Sequence, residues 1–268
     1  MNPLFLTFRA IAISVSLLLV ISSAGAENTT VTAGELASRL SALRQDGSSY
    51  VRMRLEIKGA SRETFQLQIK ERRSKTSTEV VYQILWPKER KGESVLLRKM
   101  GNRPASGSTF VPPNTVRTLE SADMKEPLFG SDISYEDVVE NFFAWEQQKL
   151  IGSEEVDGVN CQILQSKPDK GGSSIYTSVR SWIDTRRMIP LRIEKYSGSG
   201  QLLRRIETTK IVADAGKHIP ANLTVRDLRR NSSTILDGSR IKHDVTYADR
   251  EFSAEGLIQV IAPQSGRD

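Results

Sequence analysis

Residue types that do chemistry are sparse in this chain. Its 268 residues include two histidines, His218 and His243, and one cysteine, Cys161. The histidines lie far apart and belong to no H-E-x-x-H pair, and no cysteine cluster accompanies them. The ligand spacing of a zinc site is therefore missing, and both histidines read as hydrophilic loop residues. A phosphate-cradling G-x-x-x-x-G-K-S/T loop is absent. Gly198-Ser199-Gly200 has the wrong spacing for a nucleophile elbow and reads as a turn. Asp132, Asp137 and Asp184 could be gathered by a fold, but spacing alone does not supply the carboxylate separation that glycosidic chemistry needs. The sequence favours a protein without catalysis, metal or cofactor.

The N-terminus sets the compartment. Residues 1–26 carry one charge, Arg9, then the apolar run IAISVSLLLVISS, and end in Ala24-Gly25-Ala26, a small-x-small cleavage site. This is the pattern of a secretory signal peptide. The apolar run is short for a bilayer span, and no basic stop-transfer flank follows it. The expected organisation is a signal peptide at 1–26 and a single domain at 27–268. Position 27 is glutamate, where a bacterial lipoprotein would need cysteine, so the expected product is a soluble periplasmic protein. Cys161 has no second cysteine with which to form an internal disulfide, and in VNCQIL it reads as a small apolar core residue.

Removing Arg9 from a net charge of +6 leaves 6 − 1 = +5, a modest basic bias concentrated in KERRSK (Lys70 to Lys75) and KERK (Lys88 to Lys91). Such runs could favour an anionic membrane surface or an acidic partner, although solvated strand ends and loops explain them more simply. An exported chain without a basic-aromatic platform points away from nucleic acid.

The elements that would position any site are mostly strands. Thr32 and Glu35 form a capping box, with Leu36, Leu40 and Leu43 at helical spacing, predicting a helix over Thr32 to Gln45. YVRMRLEIK then alternates without a fault, with Val51, Met53, Leu55 and Ile57 facing one way. TFQLQIK repeats the pattern through Phe65, Leu67 and Ile69, while TEVVYQILW and SVLLRK read as strands covered on more than one side. Asp157-Gly158, Asp237-Gly238 and Ser197 to Gly200 mark reversals within a long meander. So many strands require a closed barrel or a strongly curved, covered sheet.

One stretch breaks the β pattern. In LFGSDISYEDV, Ser134 and Asp137 resemble a capping box with a shorter acid, and Tyr135, Val138, Val139, Phe142 and Phe143 share one helical face. Glu136, Asp137, Glu140, Asn141 and Gln147 fall mostly on the other. This predicts a helix over Ser134 to Gln148 lying across the apolar side of the sheet. Periodicity alone favours a sheet and two helices around a solid core.

The blocks LFGSDISYEDV, IGSEEVDGVNCQILQSKP and SVRSWIDTRRMIPLRIEKYSGSGQLLR together resemble the LolA-like outer-membrane lipoprotein-sorting proteins, over about Ser49 to Leu257. The resemblance implies a mainly β, α+β fold: a strongly curved antiparallel sheet forming a half-barrel, with helices covering an apolar concave face that holds acyl chains. Met53, Leu55, Phe65, Leu67, Ile69, Tyr82 and Trp182 are the expected lining, and Tyr135, Val138, Val139, Phe142 and Phe143 the expected lid. Alternation does not say which strand face is concave. The implied function is that of a non-enzymatic periplasmic carrier, moving lipoprotein acyl chains or lipids towards the outer membrane. A periplasmic lipid-sensing regulator of envelope stress is the alternative. Expected partners are an acylated lipoprotein or phospholipid, an inner-membrane donor complex and an outer-membrane acceptor, with transient membrane contact and a monomeric state.

Overall fold

The computed structural model describes residues 31–44, 47–101, 103–169, 174–214 and 216–259, so the expected signal peptide lies outside the described residues. Helix α1 (Ala33–Arg44) opens with the expected box: Glu35 N–H donates to Thr32 Oγ1 at 3.2 Å, and Thr32 N–H to the Glu35 carboxylate at 3.0 Å. Leu36 and Leu40 are buried, whereas Leu43 is exposed, so the apolar stripe is narrower than the spacing predicts.

The strands form two meanders. The first comprises β1 (Ser48–Lys58), β2 (Arg62–Arg73), β3 (Ser77–Trp86), β4 (Ser94–Met100), β5 (Ser106–Val111) and β6 (Thr115–Leu119). The second comprises β7 (Gln147–Val156), β8 (Val159–Lys167), β9 (Ser178–Asp184), β10 (Ile189–Tyr196), β11 (Leu202–Asp214), β12 (Lys217–Asp227) and β13 (Ser233–His243). All pair antiparallel in one curved, open sheet of order β6-β5-β4-β3-β2-β1-β13-β12-β11-β10-β9-β8-β7. The β1–β13 pair joins the two meanders, which leaves β6 and β7 at opposite edges. The chain between them, residues 120–146, must therefore cross the whole sheet. The predicted interruption of the β pattern falls on this crossing.

The pairing register carries one face from β1 across to β8. Leu55 lies opposite Leu236, Leu236 opposite Leu223, and Val225, two residues on from Leu223, opposite Ile206. Ile206 lies opposite Ile193, Ile193 opposite Ser181, and Ser181 opposite Leu164. Side chains two apart on a strand share a face, so these residues define the concave side.

The turns are as expected at two of three places. Asp157-Gly158 joins β7 to β8 with positive φ at both residues (50° and 77°), the geometry that matches strand twist in a two-residue hairpin. Ser197 to Gly200 joins β10 to β11. Asp237-Gly238, expected as a turn, instead lies inside β13, opposite Arg54 and Met53 where the register shifts. A Cβ at Gly238 would come within 3.3 Å of the Ala221 carbonyl, so the glycine serves a close strand approach at a bulge.

The convex side of the first meander is also covered, as the continuous apolar runs in β3 and β4 predict. Val81, Leu96 and Phe110 pack beneath Phe252 and Leu257. A buried polar chain fixes this cover: Gln68 donates to Gln83 at 2.6 Å, Gln83 to Ser94 at 2.8 Å, and Ser94 to the Leu257 carbonyl at 3.2 Å. Lys70, in the first basic run, is buried rather than solvated and pairs with Glu251 at 2.7 Å. No helix among the described residues is long and apolar enough to cross a membrane.

Candidate functional site

The concave face gathers the expected lining with one exception. Leu55, Phe65, Leu67 and Ile69 belong to a buried apolar cluster, with Met53 and Tyr82 packed against it. Tyr135, Val138 and Val139, from the crossing segment, belong to the same cluster. Trp182 does not join them. It follows Ser181, which faces inward, so strand alternation sends the indole to the convex side. There it packs with Val156, Cys161, Ile189 and Leu191, donates Nε1–H to Glu154 at 2.8 Å, and lies under the Arg192 guanidinium. Cys161 is fully buried in this cluster, and burial pushes its thiol pKa up.

The cover departs from the single helix predicted over Ser134 to Gln148. Helix α2 spans only Tyr135–Val139; Glu140 is extended, and a 3-10 turn follows at Phe142–Ala144. Side chains from other elements take over the backbone carbonyls that a continued helix would have bonded. Arg73 donates to the Val138 carbonyl at 3.4 Å, Arg44 to that of Glu140 at 3.2 Å, and Gln148 to that of Trp145 at 2.8 Å. The apolar spacing serves two surfaces rather than one helix face. Tyr135, Val138 and Val139 cover the first meander, whereas Phe142 and Phe143 pack with Leu36, Ala37 and Leu40 of α1 over Leu164, Val179 and Ile183.

The carboxylates expected on the solvent side of that helix are instead buried fasteners. Asp137 forms the capping box with Ser134, its carboxylate accepting Ser134 N–H at 2.7 Å. It also pairs with Lys195 of β10 at 2.7 Å, accepts Tyr176 O–H at 2.8 Å, and meets Arg204 of β11. Arg204 bonds Asp227 of β12 at 3.0 Å. Burial opposes ionisation of Asp137, but Lys195 and Arg204 outweigh it and hold the carboxyl well below the usual carboxylate range. Glu136 accepts Ile175 N–H at 3.0 Å and the Ser174 hydroxyl, yet burial raises its pKa overall. Asp132 accepts the hydroxyls of Thr234 at 2.7 Å and Ser232 at 2.5 Å.

Asp132 and Asp137 thus fasten the crossing segment to β10, β11 and β13. Asp184 lies on the convex side, two residues from Trp182, and is bonded to Arg187. The sequence contained a trace of this arrangement. Lys195 and Arg204 stand in register with the inward-facing Ile193 and Ile206, which places two cations on an apolar face and asks for a buried anion.

A cleft of about 630 Å³ opens where the end of α1, the β2–β3 turn, the end of β4 and the chain after α2 meet. Ala105, Met124 and Val139 contribute apolar surface to it, and Arg44, Arg73 and Lys99 contribute cations. It therefore joins a polar mouth to the apolar interior.

The comparisons agree with this architecture. A family model described as "Uncharacterized protein" matches residues 76–259. A DUF1329 family protein from Desulfovibrio piger shares the fold with a TM-score of 0.79 and 21% identity, covering 84% of this chain and 97% of that one. A domain from Vibrio parahaemolyticus, provisionally assigned to outer membrane lipoprotein sorting, gives 0.77 and 20%, covering 85% and 98%. A LolA superfamily protein from Nitrosomonas europaea gives 0.67 and 21%, covering 84% and 99%. No curated protein matches the chain.

Proposed function

The chain belongs to the family of uncharacterized proteins matched over residues 76–259 and has the LolA-like fold, and from that premise we propose that it is an exported, non-enzymatic periplasmic protein that binds acyl chains against its concave face and carries lipids or lipid-modified proteins towards the outer membrane. In this reading residues 1–26 are the signal peptide, 27–268 the carrier domain, and a donor complex and an outer-membrane acceptor its transient partners. The observation that carries the reading is the cover. Among the described residues the concave face is covered by the crossing segment, whose apolar side chains rest on the sheet and whose carboxylates fasten it, together with α1, rather than by further sheet.

Magnitudes support exchange between cover and ligand. Burying a large apolar side chain contributes about 1.5–3 kcal/mol, so Tyr135, Val138, Val139, Phe142 and Phe143 together hold the segment down by about 10 kcal/mol. A sixteen-carbon acyl chain moved out of water gains on the order of 13 kcal/mol. The two are comparable, so an acyl chain could displace part of the cover near balance, and the carrier needs no hydrolysis of its own. Asp132 and Asp137 act as fasteners in this account, not as an acid–base pair.

The test is titration of the mature protein with a fluorescent palmitoyl probe. Since cover and ligand compete for the same face, Val139→Ala should lower stability without ligand yet raise probe affinity by several-fold, about the factor that one truncated buried side chain supplies. A probe that binds neither the parent protein nor this variant would overturn the reading.

A further inference from the structure

The charges of the cleft are unevenly matched. Its acids are committed: Glu140 to Lys99 at 3.2 Å and to the Trp145 indole at 2.8 Å, Glu136 to Ile175 N–H at 3.0 Å, and Asp169 to Glu146 N–H at 3.1 Å. Arg73 is paired with Glu71. Arg44 donates to the Glu140 carbonyl but has no carboxylate within ion-pair distance among the described residues, and Lys75, on the same rim, also has none. Burial, reinforced by the neighbouring Arg73, lowers the pKa of Arg44 to about 10, which leaves it cationic at neutral pH. Glu71 and Glu140 offset part of its charge and the Phe142 ring lies 6.0 Å from it, but a guanidinium with no direct carboxylate partner in a partly desolvated cleft is further stabilised by an added anion. Immediately inward are Ala105, Met124 and Val139, where the cleft meets the apolar interior.

We propose that this cleft seats the phosphate-bearing anionic head of the acylated ligand, with Arg44 as its principal counter-ion and Lys75 as a second contact, while the chain runs inward past Val139. The proposal rests on the acyl-binding reading above and narrows its ligand class to anionic amphiphiles.

Calorimetric titration of the mature full-length protein tests it, using palmitoyl-lysophosphatidylglycerol, neutral monopalmitoylglycerol and inorganic phosphate as probes. The anionic lysolipid should bind about tenfold more tightly than the neutral one, the factor that one charge-assisted hydrogen bond supplies. Arg44→Gln also gives up the bond to the Glu140 carbonyl, which shifts both affinities alike, and should remove most of the preference read as the ratio of the two. Lys75→Gln, at an exposed position, should reduce the preference in part and guards against misfolding of the first variant. Equal binding of the two lipids, or equal loss of both in Arg44→Gln, would overturn the head-group assignment while leaving acyl binding intact. Phosphate binding as tightly as the lysolipid would make this a small-anion site and overturn it too. Failure of every amphiphile to bind would remove the acyl-binding reading itself, and the head-group assignment with it.

Discussion

Asp137 is where charge, capping and fold meet. Its carboxylate satisfies the first turn of α2 and also neutralises two cations from neighbouring strands, Lys195 and Arg204, all three side chains being nearly inaccessible to water. Removing one member of a buried charge network leaves the others uncompensated, so Asp137→Ala should cost about 3–5 kcal/mol in urea unfolding. A loss below about 1 kcal/mol would give the network only the value of a surface pair. The adjacent carboxylates also have opposite pH signs. The depressed pKa of Asp137 contributes stability that is complete above its unfolded value of about 3.9 and is lost as pH falls through the lower folded value. Glu136 is raised by burial, so its ionisation costs stability, and that cost disappears as pH falls through its folded pKa. Carboxyl NMR should therefore show Glu136 taking up its proton at a higher pH than Asp137; the reverse order would contradict the fastening role. At this scale the sequence was only partly legible. The capping pair Ser134 and Asp137 could be read from spacing, whereas the strand partners of Asp137 lie 58 and 67 residues away and are brought to it only by the crossing.

Among the elements, the crossing segment shows what periodicity can and cannot carry. Five apolar positions at helical spacing were real as buried positions, and all five are buried. They were not one helix, because Val139 and Phe142 pack on different halves of the sheet and side chains from β2 and α1 bond the carbonyls of Val138 and Glu140. Local spacing holds no information about which surface a residue meets. Asp237-Gly238 failed for the same reason: the dipeptide fits a hairpin turn, but its tertiary setting is a bulge beside Ala221. Phe142 contributes apolar surface between α1 and the second meander, so Phe142→Asp would place a charge against the face proposed to receive an acyl chain. That variant should keep its β-sheet circular dichroism and bind the palmitoyl probe at least about tenfold more weakly, because the cost of holding an ionised carboxylate against an acyl chain exceeds the gain from a loosened cover. Unchanged binding by a folded variant would remove this part of the cover from the mechanism.

For the molecule as a whole, the architecture follows from one topological fact: the strands on either side of the crossing segment are the two edges of the sheet. A mainly β chain interrupts itself at LFGSDISYEDV because that stretch must span the open side of a curved sheet rather than extend it. Alternation in β1 and β2 was sufficient to group the residues that share one face of the first meander, though not to say that this face is the concave one. It could not assign Trp182, because every second residue of β9 is buried on one side and its neighbours are buried on the other. The central claim is that the apolar face beneath the crossing segment receives acyl chains. The most direct measurement is native mass spectrometry, with lipid extraction, on protein purified without detergent. The account predicts bound species with the masses of phospholipid or acylated protein, which extraction removes. A bare polypeptide mass, from a protein that also fails to take up added lipid, would contradict it and leave a solid core in place of a carrier.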